Sequence, residues 1–254
     1  SYAEYVLKNR MAERVENVDA FLDNLKKSYL PFAQKEVQEI ADFASSYEGY
    51  FVDLQPWDFA YYAQKLKQKK FDFDPDQVRP YLELSNVING VFGLATRLYG
   101  ISFKRNDRIQ VYHKDVVAYE VYDKDNTFLA LLYTDFFPRA SKQGGAWMTS
   151  YLEQKEGRRP HISIVMNFTP PTAQKPSLLT LDEVETFLHE FGHALHGIFA
   201  NTKYQSLSGT NVYWDFVELP SQIMENYLYE KDFLCTFAKH YQTQEVLPES
   251  LLCK

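Results

Sequence analysis

Residues 180–199 constrain this chain more than any other stretch, because they combine a helix start with a long helical face. Thr180 followed by Glu183 is a capping box, in which each side chain satisfies a backbone N–H at the start of a helix. Apolar residues then recur at helical spacing: Leu181, Val184, Leu188, Phe191, Leu195 and Ile198. The sequence therefore predicts a capped helix with a broad buried face.

His189, Glu190 and His193 lie in this helix and form an H-E-x-x-H pattern. Side chains four residues apart lie about 5–6 Å from each other at Cβ, so two imidazoles can reach one ion. Glu190 points beside that ion, where it can take a proton from a bound water. Buried polar residues with ordinary hydrogen-bond partners are the alternative. The cap and the apolar setting favour one Zn²⁺ site per chain.

A catalytic zinc ion takes three protein ligands and keeps one position for water, so a third ligand is needed. His196 lies on the same general face, but one straight helix cannot wrap three such side chains around a tetrahedral ion. Residues 214–227 predict a second helix with a polar stripe made of Asp215, Glu218, Gln222 and Glu225. Such a stripe usually faces solvent, but here aromatic and aliphatic residues flank it and favour an inward orientation.

Within that stripe we predict Glu218 as the third zinc ligand. Asp215 and Glu225 are candidates for the hydrogen-bond partners that orient the histidine rings.

The rest of the chain predicts a mainly α-helical protein with a small antiparallel sheet. Helical patterns cover 1–28, 31–48, a stretch from Pro56 and 81–99, and 71–76 predicts a turn with capping aspartates. Between 101 and 168, β-prone runs at 116–122, 127–133 and 161–168 predict strands. Residues 177–254 carry the metal-binding helices. The edge of this sheet can accept an extended peptide near the metal, or the sheet serves only as structural cover.

Composition excludes several classes of protein. The 254 residues are 45% hydrophobic, which suits a globular chain with a large core. A net charge of −7 argues against nucleic acid or an anionic membrane as the main partner. Cys235 and Cys253 are too few for a disulfide framework and are typical of a reducing, cytoplasmic compartment. No apolar run approaches the length of a membrane span.

Three motifs resemble the thimet-oligopeptidase family of zinc peptidases (M3): His-Glu-Phe-Gly-His-Ala-Leu-His at 189–196, Leu-Ser-Gly-Thr at 207–210 and Asp-Phe-Val-Glu-Leu-Pro-Ser-Gln at 215–222. The likeness is closest to the peptidyl-dipeptidase (dipeptidyl carboxypeptidase) branch. Supporting stretches lie at 54–59, 80–84, 144–147 and 167–169. By position, the resemblance implies zinc on His189, His193 and Glu218 with Glu190 as general base, the four residues that spacing also favours.

The resemblance further implies a zincin-like fold that forms part of a larger helical channel, short peptides as substrates, dipeptides released from the C-terminus and a monomeric full-length protein. Alternatives are a broader oligopeptidase that cuts internal bonds, and a non-catalytic fragment. Compared with the family, the chain is expected to be a partial catalytic region. In the family, the groups that stabilise the oxyanion, including a tyrosine, follow the ligand helix. We find no counterpart before Lys254 and expect the isolated chain to be poorly active.

Overall fold

The structure is a computed structural model that describes residues 1–71 and 75–252. The chain divides at residue 75 into two compact units, here called the N-terminal unit and the main unit. Residues 72–74 of the predicted turn at 71–76, and Cys253, lie outside the described residues, while Cys235 is a free thiol.

Within residues 1–71, the N-terminal unit forms three helices: α1 (Tyr2–Leu7), α2 (Val15–Glu48) and α3 (Phe59–Phe71). The prediction of a helix boundary near residue 30 is wrong, since α2 continues through Pro31. A proline removes one backbone hydrogen bond, which a helix of 34 residues tolerates here. The break lies earlier, where Glu13 takes a φ of 60° between α1 and α2. Helix α2 ends at Gly49, whose φ of 79° is left-handed.

The main unit begins with two short 3₁₀ segments, Pro75–Gln77 and Arg79–Tyr81, followed by helix α4 (Leu84–Tyr99). Its apolar residues Val87, Val91 and Ala95 are fully buried, and the helix ends at Gly100 with a φ of 75°. This agrees with the amphipathic helix predicted over 81–99.

A five-stranded sheet follows in the order β1-β2-β3-β5-β4. Its strands are β1 (Ser102–Arg105), β2 (Val117–Tyr122), β3 (Phe128–Asp135), β4 (Trp147–Leu152) and β5 (His161–Val165). The small sheet in a mainly helical protein is confirmed, but it is mixed, because β3 and β5 pair in parallel. A parallel pair needs a crossover connection, and residues 136–160 supply it by first forming edge strand β4. Sequence patterns missed β1 and β4.

Helix α5 (Leu181–Ile198) lies against the sheet, and its predicted capping box is present. The Glu183 N–H donates to Thr180 Oγ1 at 3.1 Å, and the Thr180 N–H donates to the Glu183 carboxylate at 2.8 Å. Phe187 and Phe191 are fully buried, with Phe187 edge-on to Phe136 at 5.2 Å between ring centroids. Burying each such ring stabilises the fold by about 1.5–3 kcal/mol, so α5 is held firmly on the sheet.

The remaining described helical segments are short: a 3₁₀ segment (Gln205–Leu207), α6 (Trp214–Val217), α7 (Leu219–Glu225), a second 3₁₀ segment (Asn226–Tyr229), α8 (Lys231–Phe237) and α9 (Glu249–Leu252). The single helix predicted over 214–227 is therefore wrong. Glu218 ends α6 and precedes α7, because Pro220 in the next turn has no N–H to continue the backbone ladder.

Among the helices of residues 1–71 and 75–252, none has both the length and the apolar character needed to cross a membrane.

Candidate metal centre

The site begins with a close crossing of α5 and α7 at Gly192. A Cβ atom on Gly192 would lie 2.5 Å from the Pro220 carbonyl oxygen and 2.6 Å from Ser221 Cα. Both neighbours are backbone atoms, so only glycine allows the two helices to approach this closely. The crossing brings Glu218, at the start of α7, over the face of α5 that carries the histidines.

His189, His193 and Glu218 come together at this crossing. Glu218 Oε2 lies 3.3 Å from His189 Nε2 and 3.1 Å from His193 Nε2. The two imidazole rings are 4.9 Å apart at their centroids. One ligand atom from each residue lies within 4.8 Å of the other two. Two imidazole nitrogens and a carboxylate oxygen are a donor set that Zn²⁺ takes in catalytic sites. Their role as ligands stays a prediction.

Two buried polar atoms beside this cluster have no hydrogen-bond partner among the described residues: Glu190 Oε2 and His193 Nδ1. Glu190 is only 6% exposed. Burial, and to a lesser degree the charge of Glu218, raise the pKa of Glu190 to about 7, against the opposing effect of His189. A buried carboxyl group without a partner is costly, and a pKa near neutrality suits a group that accepts and returns a proton. The arrangement therefore fits a metal-bound water beside Glu190.

Of the two residues proposed to orient the histidine rings, Glu225 contacts a ring and Asp215 does not hold one. Glu225 Oε1 lies 2.6 Å from His189 Nδ1, so the ring nitrogen that faces away from the cluster has a carboxylate partner. Asp215 is exposed, and it does not hold the ring of His193, whose Nδ1 has no partner within the described ranges. His196 is not part of the cluster and lies beside Phe216, with ring centroids 6.4 Å apart.

A pocket of about 450 Å³, called the metal pocket below, opens over the cluster. Its helical wall contains His189, Glu190, His193, Trp214, Val217 and Glu218. Its other wall, called the sheet wall below, consists of Ala146, Trp147, Met148 and Thr210. The sequence patterns assigned no role to these four residues, although Ala146, Trp147 and Thr210 belong to motifs that carry the family resemblance. The first three lie on or beside edge strand β4.

The 136–146 loop, which leads into β4, is anchored by a buried charge cluster. Asp135 and Lys142 side chains are 1% and 2% exposed, and Lys142 Nζ lies 3.0 Å from the Asp135 carboxylate. Arg139 donates two hydrogen bonds of 2.9 Å to the same carboxylate. Burial would raise the pKa of Asp135, but hydrogen bonds from Arg139, Lys142 and Tyr112 outweigh it and lower the pKa. These buried ion pairs therefore hold the start of the loop, where it leaves β3.

A second buried polar residue holds the 201–213 segment, which carries Thr210 to the metal pocket. The Gln154 side chain, 2% exposed, donates to the Thr202 carbonyl at 2.9 Å. Its Oε1 accepts hydrogen bonds from the Thr202 N–H at 2.9 Å and from Ser208 Oγ at 2.8 Å. Gln154 is isolated in the sequence, so no pattern indicated this role.

The mainly helical fold with a mixed sheet agrees with the predicted zincin-like fold, and it contains a cluster of three residues that could hold a metal ion. The chain matches Peptidase family M3 over residues 1–254, and it belongs to that family. The predicted family is thus confirmed.

Two relatives are from Escherichia coli (strain K12). The chain is 42% identical to dipeptidyl carboxypeptidase over 253 residues, which is 98% of this chain and 37% of the relative. It is 39% identical to oligopeptidase A over 260 residues, which is 100% of this chain and 38% of the relative. Saccharolysin of Saccharomyces cerevisiae (strain ATCC 204508 / S288c) is 32% identical over 270 residues, 99% of this chain and 38% of the relative. The chain therefore spans well under half the length of these proteins.

Proposed function

We propose that this chain is the metal-binding part of a zinc-dependent peptidase that hydrolyses short peptides and releases dipeptides from their C-termini. One observation carries the proposal. Nε2 atoms from α5 and a carboxylate oxygen from the start of α7 converge, with the buried carboxyl group of Glu190 beside them. From the cysteine usage, we also propose a reducing, cytoplasmic compartment for the whole protein, and we retain the expectation that it is monomeric.

In this proposal His189, His193 and Glu218 would hold the zinc ion. Bound zinc would polarise the scissile carbonyl group and lower the pKa of a water to about 7. Glu190 accepts the proton of the attacking water at its buried oxygen and returns it to the leaving amine nitrogen. Glu225 accepts a hydrogen bond from His189 Nδ1, which leaves the Nε2 lone pair directed at the cluster.

Edge strand β4 supplies a place for the peptide backbone. Among the described strands, β4 pairs with β5 alone, so one edge of β4 keeps backbone groups that an extended peptide can pair with. Trp147 and Met148 at the start of β4 line the metal pocket. A substrate strand on this edge would lie beside Glu190 and the cluster.

The proposal of dipeptide release rests on the 42% identity to dipeptidyl carboxypeptidase. An oligopeptidase that cuts internal bonds is the second candidate, because identity to oligopeptidase A is 39%. Product analysis with peptides that carry free or amidated C-termini separates the two. Release of dipeptides only from free C-termini supports the first candidate, whereas equal cleavage of both peptides supports the second.

Zinc content and peptidase activity test the proposal, measured on this chain and on the full-length protein. Glu190→Gln should keep one zinc ion per chain and lower turnover by about 10²–10⁴-fold, because it removes the proton acceptor. His193→Ala should lose zinc, because it removes a ligand. Normal turnover by the Glu190→Gln full-length protein would show that the mechanism is wrong. We expect low activity from the chain alone, and strong activity there would contradict that expectation.

A further inference from the structure

The side-chain amide of Asn167 donates hydrogen bonds to two backbone carbonyl groups at the end of the 136–146 loop. Asn167 Nδ2 donates to the Gln143 carbonyl oxygen at 2.9 Å and to the Gly145 carbonyl oxygen at 2.7 Å. Asn167 lies two residues after β5 ends at Val165, whose register partner is Trp147, the first residue of β4. Asn167 therefore links the chain after β5 to the turn that starts β4.

The turn at 143–145, which accepts these hydrogen bonds, requires a glycine at one position because of its backbone conformation. Gly145 has a φ of 91°, which residues with a Cβ atom rarely adopt. No atom lies within 4 Å of the position that a Cβ atom would take on Gly145, so space is not the reason for glycine. Its neighbour Gly144 is equally open and has no positive φ. The two glycines thus differ in backbone conformation and not in the space open to a Cβ atom.

The turn leads directly to the metal pocket. The residues that follow Gly145 are Ala146 and Trp147, and both line the pocket together with Glu190. The other end of the loop is already held by Asp135 and Lys142. The hydrogen bonds of Asn167 restrain the end of the loop that enters β4.

We propose that Asn167 is a positioning residue that, through the left-handed turn at Gly145, sets where the β4 edge lies relative to the metal cluster. Its amide fixes the 143–145 backbone, and that backbone fixes the first residues of β4. The edge that binds a peptide beside Glu190 is thereby held in place, so loss of Asn167 weakens peptide binding. This inference rests on the proposed function, since it assigns a substrate strand to that edge.

The first test is Asn167→Asp, which preserves the shape of the side chain but replaces the N–H donors with an acceptor. Loss of the two hydrogen bonds should weaken binding of N-acetyl-hexa-alanine to the zinc-loaded chain about tenfold. Tryptophan fluorescence reports this binding, because Trp147 and Trp214 both line the metal pocket, and zinc stoichiometry should not change. Asn17→Asp is the matched control, because Asn17 Nδ2 donates to the Ala12 carbonyl at 2.7 Å within the N-terminal unit. The control should bind the peptide like the wild type.

The second test compares Gly145→Ala with Gly144→Ala and does not depend on Asn167. Gly145→Ala strains the turn and should weaken peptide binding about fivefold, whereas Gly144→Ala should change it less than twofold. In the full-length protein, Gly145→Ala and Asn167→Asp should raise KM and leave kcat nearly unchanged. Equal effects of the two glycine substitutions would overturn the proposal.

Amide hydrogen exchange separates failure of this inference from failure of the proposed function. Asn167→Asp should speed exchange at the first amides of β4, 147–149, at least tenfold, whether or not the chain binds zinc or peptide. If the wild type binds neither, but exchange at 147–149 rises in the variant, the positioning of the turn stands and the peptidase proposal fails. If the wild type binds both and the variant keeps its peptide affinity and its slow exchange, Asn167 has no positioning role.

Discussion

The two walls of the metal pocket are built in different ways. The helical wall comes from α5, α6 and the start of α7, and its chemical groups His189, Glu190 and His193 lie within one and a half turns of a single helix. The sheet wall comes from separate parts of the chain, with Ala146 and Trp147 in one part and Thr210 in another. Local helical spacing arranges the first wall, whereas tertiary hydrogen bonds arrange the second.

Because the two walls are built independently, we expect substitutions in one wall to change metal binding and substitutions in the other to change peptide binding. Changes at the α5–α7 crossing should act first on the metal, because the ligands belong to those helices. Changes in the polar residues behind the other wall, namely Asp135, Gln154 and Asn167, should act on stability or on peptide binding. Each prediction below changes a residue at one wall and states which property, stability, zinc affinity or peptide binding, should change.

The largest expected effect lies behind the sheet wall, at Asp135. Asp135→Asn leaves the Lys142 ammonium group buried without its carboxylate partner, which typically costs about 3–5 kcal/mol. Urea denaturation at pH 7 should show this loss in the free energy of unfolding. Asp107→Asn is the control, since the ion pair between Arg105 and Asp107 is exposed and such pairs contribute about 0–1 kcal/mol. Similar losses in both variants would contradict the anchoring role of Asp135.

The pH dependence of Asp135 has a definite sign. Its folded-state pKa lies below the ordinary value, so its contribution to stability is complete above the ordinary range of aspartate. The contribution is lost as the pH falls through the folded-state pKa. The stability difference between wild type and Asp135→Asn should therefore shrink in acid, and a difference that widens there would refute this account.

The helical wall could be predicted from the sequence because the residues that determine it lie close together along the chain. The capping box of Thr180 and Glu183 marks the start of α5, and the four-residue spacing of His189 and His193 places both rings on one face. Glu218 lies beside the two histidines although the predicted helix around it is broken, and its role as a ligand stays a prediction. The break changes the backbone at Glu218 but leaves it on the side of α7 that meets α5.

The sheet wall could not be predicted to the same depth, because its determinants are isolated in sequence. Gln154 and Thr202 are 48 residues apart, and Asn167 and Gly145 are 22 apart. Neither pair creates a periodic pattern that a single sequence shows. Strand β4 was missed for a related reason, since its residues are mostly half-buried and do not alternate. The parallel pairing of β3 with β5 depends on β4 and was missed with it.

The second largest loss of stability is expected behind the helical wall, at Gly192. Gly192→Ala forces its Cβ against the backbone of Pro220 and Ser221, so the helices must separate. We expect a loss of about 1–3 kcal/mol in the free energy of unfolding, together with weaker zinc binding, as Glu218 moves away from the histidines. Gly93→Ala is the control in α4, where a Cβ atom meets nothing within 4 Å. That variant should gain about 0.5–1 kcal/mol and keep its zinc affinity.

The smallest effect should follow from Glu225→Gln, which changes only the partner of the His189 ring. A glutamine oxygen can still accept the hydrogen bond from Nδ1, but without the negative charge that makes the imidazole a stronger ligand. Zinc affinity, measured by competition with a chelator, should fall about tenfold, near the lower end for such partners. Peptide binding to the metal-free chain should not change, because β4 and the 136–146 loop do not contain Glu225.

Glu185→Gln is the matched control for Glu225→Gln, because Glu185 also lies in the main unit but accepts a hydrogen bond from the Tyr229 hydroxyl at 2.9 Å. Its zinc affinity should stay within about twofold of the wild type, since it does not contact a ligand ring. If both variants lose zinc equally, the effect is one of general charge and not of the His189 ring. If Glu225→Gln instead weakens peptide binding to the metal-free chain, the two walls are coupled, and the separation of metal binding from peptide binding is wrong.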